Sequence, residues 1–376
     1  MDDILKIREQ FPVTESKVFL NHAAQSPLPK PVAEAIHRYT DDFSKFGTSL
    51  IECDRWGKPC FARLIGARPE EIALIENTSV GLNIAANVLQ YPQGSKIVTT
   101  DLEYPSVVYP WLRKNLGARV HYVKSVDGKV SLDEMEKAVD DKTVAVAISH
   151  VEYVNGFRQN LRVLSEIAHE HGAYLIVDAI QSVGTMPINV KTDDVDFLMA
   201  ACYKWMLSPQ GAAYLYVKDD LIEKFEPPYV GWASVKQEVF KTIDFWDIWN
   251  LKLSKTASRF EVGSPSTISL VGATEAMKML LDCGTENIKR RIMKLTDRLI
   301  DAVKDLGLEL QTPEEKQCRS GIVNFKIGKA DKVTDKLNRK GIVVSARAHG
   351  IRVSPHFYNT EEEIDKLTEE IKKLKD

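Results

Sequence analysis

Lys204 is the only Asp, Glu, Lys or Arg between Phe197 and Val217. Lysines avoid burial unless they are paired or functional. Held among apolar strands, its amine has a lowered pKa, as imine formation and proton transfer both require. The alternative is a side chain that snorkels to solvent. Asp178 ends the apolar run Tyr174-Leu175-Ile176-Val177. A carboxylate there points out of the carboxyl edge of a sheet, or it caps a helix or turn. Gln181, three residues on, is well placed to donate to an oxygen of a ligand held by Asp178. Thr78-Ser79-Val80-Gly81 follows Ile72–Ile75 and opens a helical pattern. Hydroxyls and free N–H groups at a helix N-terminus make a phosphate cradle, although ordinary N-caps look the same.

Together these are the parts of a pyridoxal 5′-phosphate (PLP) site. Such a site needs a lysine for the aldehyde, a carboxylate for the ring nitrogen, phosphate donors and a ring to stack on the cofactor.

The elements that must carry them follow from the apolar pattern. Ile72–Ile75, Lys96–Thr100, Arg119–Val123, Val144–Ser149, Tyr174–Val177, Phe197–Ala200 and Ala212–Val217 read as strands. Val107–Leu116, Leu132–Val139 and Leu161–His171 read as helices between them. Strands alternating with helices predict an α/β domain with a mostly parallel sheet sandwiched by helices, and ligands at the strands' carboxyl ends. The stretch Phe225–Trp249 holds Trp232, Phe240, Phe245, Trp246 and Trp249 with little periodicity. These aromatics fit a substrate entrance or interface and core anchors equally well. A long helical region, Ser269–Leu306, then leads to a short α+β C-terminus. Thr360-Glu361-Glu362-Glu363 opens the final helix with a capping-box pattern, and Ile364, Leu367, Ile371 and Leu374 follow at helical spacing.

Composition sets the limits. The chain has 376 residues, 44% of them hydrophobic, so it exceeds the usual size of one domain. We expect an N-terminal segment (1-20) packing with the small domain, a large domain (21-255) and a smaller C-terminal α+β domain (256-376). A net charge of -3 gives no basic surface for nucleic acid. No run reaches the roughly 18 to 20 apolar residues that cross a bilayer. The first ten residues, MDDILKIREQ, have no signal core, and the expectation is a cytoplasmic protein. Cys53, Cys60, Cys202, Cys283 and Cys318 are scattered, and their spacing indicates neither disulfides nor a metal site. His169 and His171 fall on different faces of a helix, which fits surface or capping roles.

In sequence order, these segments resemble the class V aminotransferase family of fold-type I PLP enzymes. The resemblance runs through Phe19-Leu20-Asn21-His22-Ala23-Ala24, Asn77–Gly81 and Glu103-Tyr104-Pro105-Ser106. It continues through Val177–Gly184, the Lys204 segment, Arg259–Pro265 and Ile351–Thr360. That group includes cysteine desulfurases, selenocysteine lyases, cystine C–S lyases and isopenicillin-N-epimerase-like proteins. The resemblance implies Lys204 as the Schiff-base lysine and proton shuttle, Asp178 on the ring nitrogen and Gln181 on the ring hydroxyl. It implies Tyr104 as the stacking ring, and Thr78 and Ser79 on the phosphate. Ser264 would reach the phosphate of a neighbouring subunit, hence a homodimer with shared sites. Arg352 would clamp the substrate α-carboxylate. His22, Ala24, Arg347 and His356 are further candidates near the substrate.

Four departures stand out. Tyr203 replaces the histidine usual before the lysine, and Ala201 replaces a serine three positions before it, so Tyr203 joins the cofactor candidates. The asparagine usual after Ser149-His150-Val151 is missing, and Glu152-Tyr153 follow instead. Desulfurases carry a persulfide-forming cysteine shortly before the final arginine segment, but Gly341–Gly350 has none. The reading is a C–S lyase acting on a small amino acid without that cysteine. Alternatives are an aminotransferase or epimerase, and, in another class, a non-catalytic relic that binds a partner protein. A nucleotide-binding dehydrogenase is disfavoured, since no G-x-G-x-x-G follows a strand.

Overall fold

The structure is a computed structural model that describes residues 4–49, 54–236 and 249–374. Cys53, Phe240, Phe245 and Trp246 lie outside the described residues.

Seven strands form the main sheet. Their spatial order is Ile72–Ile75, Ala213–Val217, Phe197–Ala201, Tyr174–Asp178, Thr143–Ser149, Lys96–Thr100 and Arg119–Val123. Neighbours from Phe197–Ala201 to Arg119–Val123 run parallel. Ala213–Val217 is antiparallel to both of its neighbours. The central strands are buried along almost their whole length. That explains their unbroken apolar runs, since helices cover both faces.

The chain leaves Lys96–Thr100 for the sheet edge at Arg119–Val123. It then returns to lay Thr143–Ser149 on the other side of Lys96–Thr100. The direction of winding reverses there, and the crevice at such a reversal is where open α/β sheets bind ligands. Gly81 lets the Thr78–Val88 helix press its first turn against the sheet. A Cβ at Gly81 would come within 2.9 Å of Ile75 Cδ1 and Met199 Cβ.

Two expected helices differ. Val107–Leu116 is a one-turn helix, Pro105–Val108, followed by 3₁₀ turns at Tyr109–Leu112 and Lys114–Leu116. Pro110 has no N–H for the carbonyl four residues back, and its ring crowds that carbonyl. Ser269–Leu306 is two helices, Thr267–Cys283 and Thr285–Asp305, broken at Gly284 with φ +79°.

The smaller unit is an antiparallel sheet ordered Ser345–Arg347, Gly350–Val353, Val323–Lys326. It packs with Ala330–Arg339, Glu361–Leu374 and the second half of Thr285–Asp305. The final helix has its capping box, with Thr360 N donating to Glu363 Oε2 at 3.1 Å and Glu363 N to Thr360 Oγ1 at 3.4 Å. Val18–Phe19 pairs in parallel with Ile342–Val343. The Thr267–Cys283 helix, expected beyond a boundary at 255/256, buries Leu270, Ala273, Met277 and Leu280 in the core beneath the large sheet. The packing therefore changes hands inside Thr285–Asp305: Ile288 and Ile292 belong to the large core, Leu295 and Leu299 to the small one. Among the described residues no helix is long and apolar enough to cross a membrane.

Candidate active site

A cavity of about 560 Å³ opens at the carboxyl edge of the large sheet. Thr78, Ser79, Tyr104, Asp178, Tyr203 and Lys204 all line it. Four separate connections, far apart in sequence, converge there because parallel strands deliver their carboxyl ends to one edge.

Lys204 follows the Phe197–Ala201 strand and is 9% exposed. Its Nζ lies 5.8 Å from the ring centres of both Tyr104 and Tyr203. Burial brings its pKa down to about 8; Asp178 opposes the shift, and Arg352 and Arg347 add to it. Ser26 Oγ donates to Lys204 O at 2.5 Å, and Ser26 N donates to Tyr203 O at 3.0 Å, so the lysine's backbone is held from the N-terminal side.

Asp178 ends the next strand and is buried. Burial raises its carboxyl to about 6, against the Ile180 N–H donated at 2.9 Å and the charge of Lys204. Its ionised form therefore needs a further cationic or N–H partner in the cavity.

Asn77 caps the Thr78–Val88 helix by accepting from Val80 N at 3.0 Å. Thr78 Oγ1 accepts from Ala201 N at 3.0 Å, tying this helix to the Lys204 strand. Ser79 Oγ pairs with Ser106 Oγ at 2.8 Å. Ser106, Gln210 and Gly211 also line the cavity and were not singled out from sequence. Ser106 was legible only as the last residue of the Glu103-Tyr104-Pro105-Ser106 segment. It is a third hydroxyl where the cradle lacks the expected serine and histidine.

Gln181 sits behind the cavity wall. Its Oε1 accepts from Trp205 Nε1 at 2.8 Å and its Nε2 donates to Ala23 O at 3.1 Å, which leaves one amide N–H. The buried indole N–H requires an acceptor, and that fixes the amide's orientation.

Arg352 is 2% exposed, and its Nη1 donates to Tyr153 O at 2.8 Å. Its Nε has no partner, and among the described residues no carboxylate pairs with it. Burial, helped by Arg347, pulls its guanidinium down to about 10. Arg347 stands on the adjacent strand of the same hairpin, exposed, with Nη1 donating to Ala346 O.

Gln181, Arg352 and Arg347 are not among the residues that line this cavity, and neither are the remaining candidates. His22 is buried between Ser354 O and Tyr358 Oη, each 2.8 Å from a ring nitrogen, and burial holds it neutral. His356 lies beside it, with ring centres 5.0 Å apart. It is pushed down to about 4 by burial, with Nε2 3.1 Å from Trp205 O. These two are core histidines of the seam between the chain's two ends. Ala24 is half-buried in the same turn as His22, and Ser264 is exposed; neither lines this cavity. A larger cavity of about 860 Å³ lies on the far side of His150, with Lys129, Arg158 and Cys318 on its walls. Among the described residues no cysteine lines the Lys204 cavity. Burial pushes the thiols of Cys202, Cys283 and Cys318 up, away from the reactive thiolate. Among the described residues no cluster of His, Cys, Asp or Glu could hold a metal ion.

A model of the family "aminotransferase class-V" matches residues 18–367. The uncharacterised aminotransferase YcbU of Bacillus subtilis is 30% identical over 367 residues, 97% of this chain and 96% of that protein. A probable cysteine desulfurase of Pyrococcus abyssi is 29% identical over 390 residues, 96% of this chain and 94% of that protein. The apo cysteine desulfurase of Thermococcus onnurineus NA1 superposes with TM-score 0.87 at 28% identity, covering 98% of this chain and 97% of that one. The cystine C–S lyase C-DES, solved with cysteine persulfide, shares the fold at TM-score 0.87 and 22% identity, covering 96% and 99%.

Proposed function

This chain belongs to the aminotransferase class-V family and is a PLP-dependent enzyme, and from that premise we propose that it breaks a carbon–sulfur bond in a small α-amino acid, cysteine or cystine, by β-elimination. The observation that carries the reading is the pairing of two buried cations with unmet needs at one edge. Lys204 faces the cavity with its pKa drawn down, and Arg352 lacks a carboxylate.

The residues fit the cofactor. Lys204 is the lysine for its aldehyde, and Asp178 awaits an N–H cation. Tyr104 offers a ring face, with Tyr203 beside it. Thr78, Ser79 and the free N–H groups of a capped helix suit the phosphate. The remaining amide N–H of Gln181 is the donor for the ring hydroxyl. Bound there, PLP supplies an electrophilic aldehyde and an electron-withdrawing ring.

The chain's own groups do the rest. Arg352 takes the substrate α-carboxylate, which supplies the missing counter-charge. Arg347 stands at the rim of the same hairpin. Lys204 Nζ, its pKa drawn down to about 8 by burial, would accept the Cα proton once the substrate amine has displaced it. The Cβ–S bond then breaks, and sulfur leaves as a thiolate that takes up a proton. With cysteine and water the products are pyruvate, ammonia and hydrogen sulfide. The absence of a cysteine from Gly341–Gly350 and from the cavity lining supports release of sulfur without a protein persulfide. Transamination or epimerisation would use the same residues.

A homodimer is part of this proposal. Trp232, Val262 and Ile268 are exposed, and Trp232 Nε1 stands 3.7 Å from where a Cβ on Gly263, next to Ser264, would lie. An apolar surface of that kind suits a second copy, which would bring Ser264 to the neighbour's phosphate. A cytoplasmic location fits the same reading.

The test is product analysis of PLP-loaded protein with L-cysteine and L-cystine, assaying pyruvate, alanine and sulfide together. Pyruvate with sulfur release is expected. Alanine with sulfur release would establish desulfuration instead, and no turnover of either would move the reading to transamination or epimerisation.

A further inference from the structure

At the reversal of winding two carboxyls meet with no cation to balance them. Glu103 lies in the turn after Lys96–Thr100, and its oxygens accept from Ser149 N at 2.7 Å and Ser149 Oγ at 2.6 Å. Glu152 follows the neighbouring strand and is fully buried. Its Oε1 accepts from Thr100 Oγ1 at 3.2 Å and Gln159 Nε2 at 3.5 Å. Its Oε2 is buried with no donor aimed at it, and the Glu103 carboxyl lies within hydrogen-bonding reach. The faces packed against the pair offer Thr100, Ser149 and Gln159, all neutral, and one more anion, Asp178. His150, between Ser149 and Glu152, is held neutral by burial and lines the other cavity. Among the described residues no lysine or arginine pairs with either glutamate.

Glu152 is fully buried and Glu103 half-buried, and two carboxylates in contact at such a place cannot both ionise readily. A proton on Glu152 Oε2 turns an orphaned acceptor into a donor to Glu103. Each glutamate is also followed by a ring. Tyr104 and Tyr153 meet edge to face, with centres 5.1 Å apart and planes at 80°. Arg352 donates to the Tyr153 carbonyl, and Ser149 is the register partner of Asp178.

We propose that Glu103 and Glu152 share one proton, and that this acid–carboxylate pair is the positioning device that holds Tyr104, Tyr153 and the Ser149–Asp178 strand ends in place around the Lys204 cavity. The pair joins the bases of the two turns that carry the rings. The part of this inference that concerns the cofactor rests on the proposed function; the shared proton does not.

The test compares wild-type holoenzyme with Glu152→Gln and Glu152→Ala. The folded wild type keeps the pair's proton where unfolded glutamate has lost it. Its stability therefore falls as pH rises above the ordinary glutamate value of 4.5, and levels off once the pair's raised value is passed. Glu152→Gln keeps a donor to Glu103 but cannot titrate. Its Tm relative to wild type should climb across that window, and a gap that stays flat with pH overturns the shared proton. PLP affinity, read by absorbance of the bound cofactor, should fall about tenfold in Glu152→Ala and stay within about threefold in Glu152→Gln. Equal affinity in both variants overturns the positioning role. Wild type that binds no PLP overturns the proposed function instead, and leaves the Tm comparison to decide the pair.

Discussion

The helices of the small unit and the seam where its sheet meets the large one treat charge in opposite ways. Along those helices cations are met by anions. Arg291 holds Glu361 through two bonds of 2.7 and 2.8 Å, Arg298 forks onto Asp365 at 2.6 and 2.7 Å, and Arg8 reaches Glu363 at 2.7 Å. In the seam between the sheets Lys204, after the large one, and Arg352, on the small one, are more deeply buried, yet among the described residues no carboxylate pairs with Arg352 and no lysine or arginine pairs with Glu103 or Glu152. Burying an unpaired charge costs several kcal/mol, so it persists where a ligand completes the pair. The difference separates charges that secure the fold from charges that await a substrate.

The largest way to break the comparison is at Lys204. Lys204→Ala should abolish the visible absorbance of bound cofactor and lower turnover by about 10⁴-fold. A retained band would mean that the lysine is not the attachment point. Arg352→Met comes next and has two opposite signs. It should lower kcat/KM for the amino acid by about 10²- to 10³-fold, yet stabilise the cofactor-free protein by about 1 to 4 kcal/mol. Loss of stability in urea unfolding would show that the guanidinium serves the fold.

The histidines sharpen the contrast with acid. His22 and His356 are held neutral in the fold, so the unfolded chain binds more protons below about pH 6.5. Stability should fall as pH drops from about 6.5 through about 4, and His356→Gln should flatten that slope in unfolding curves. The smallest effect belongs to the paired belt. Arg298→Ala removes an exposed fork and should lower stability only slightly in urea unfolding, an effect that shrinks further in high salt.

Much of this was legible in the sequence. The central strands were visible as apolar runs because they are buried on both faces, whereas Arg119–Val123 at the sheet edge is mostly exposed. Lys204 and Asp178 stood out because each is a charge at the end of such a run. Pro110 and Gly284 could have ended the helices they interrupt, but apolar spacing alone carried the reading through both. The pairing of Glu103 with Glu152 was hidden, since it exists only when two strands from separate parts of the chain lie side by side. The same holds for Gln181, whose amide is turned by Trp205, and for His22, which occupies a seam that forms between residues more than 300 positions apart.

That seam has a consequence for the order of synthesis. The Val18–Phe19 strand finds its partner in Ile342–Val343, and Asn21 bridges to Ser354. A ribosome delivers residues at about 5 to 20 per second, so the first strand waits tens of seconds for its neighbour. During that wait Val18 and Leu20, both buried in the finished protein, stand in water. The large sheet can assemble from short crossovers as it emerges, whereas the small unit cannot close until Ser354 has been made. A nascent-chain proteolysis ladder should find the Tyr174–Asp178 region protected early, and Val18–Leu20 protected only after Ser354 has emerged.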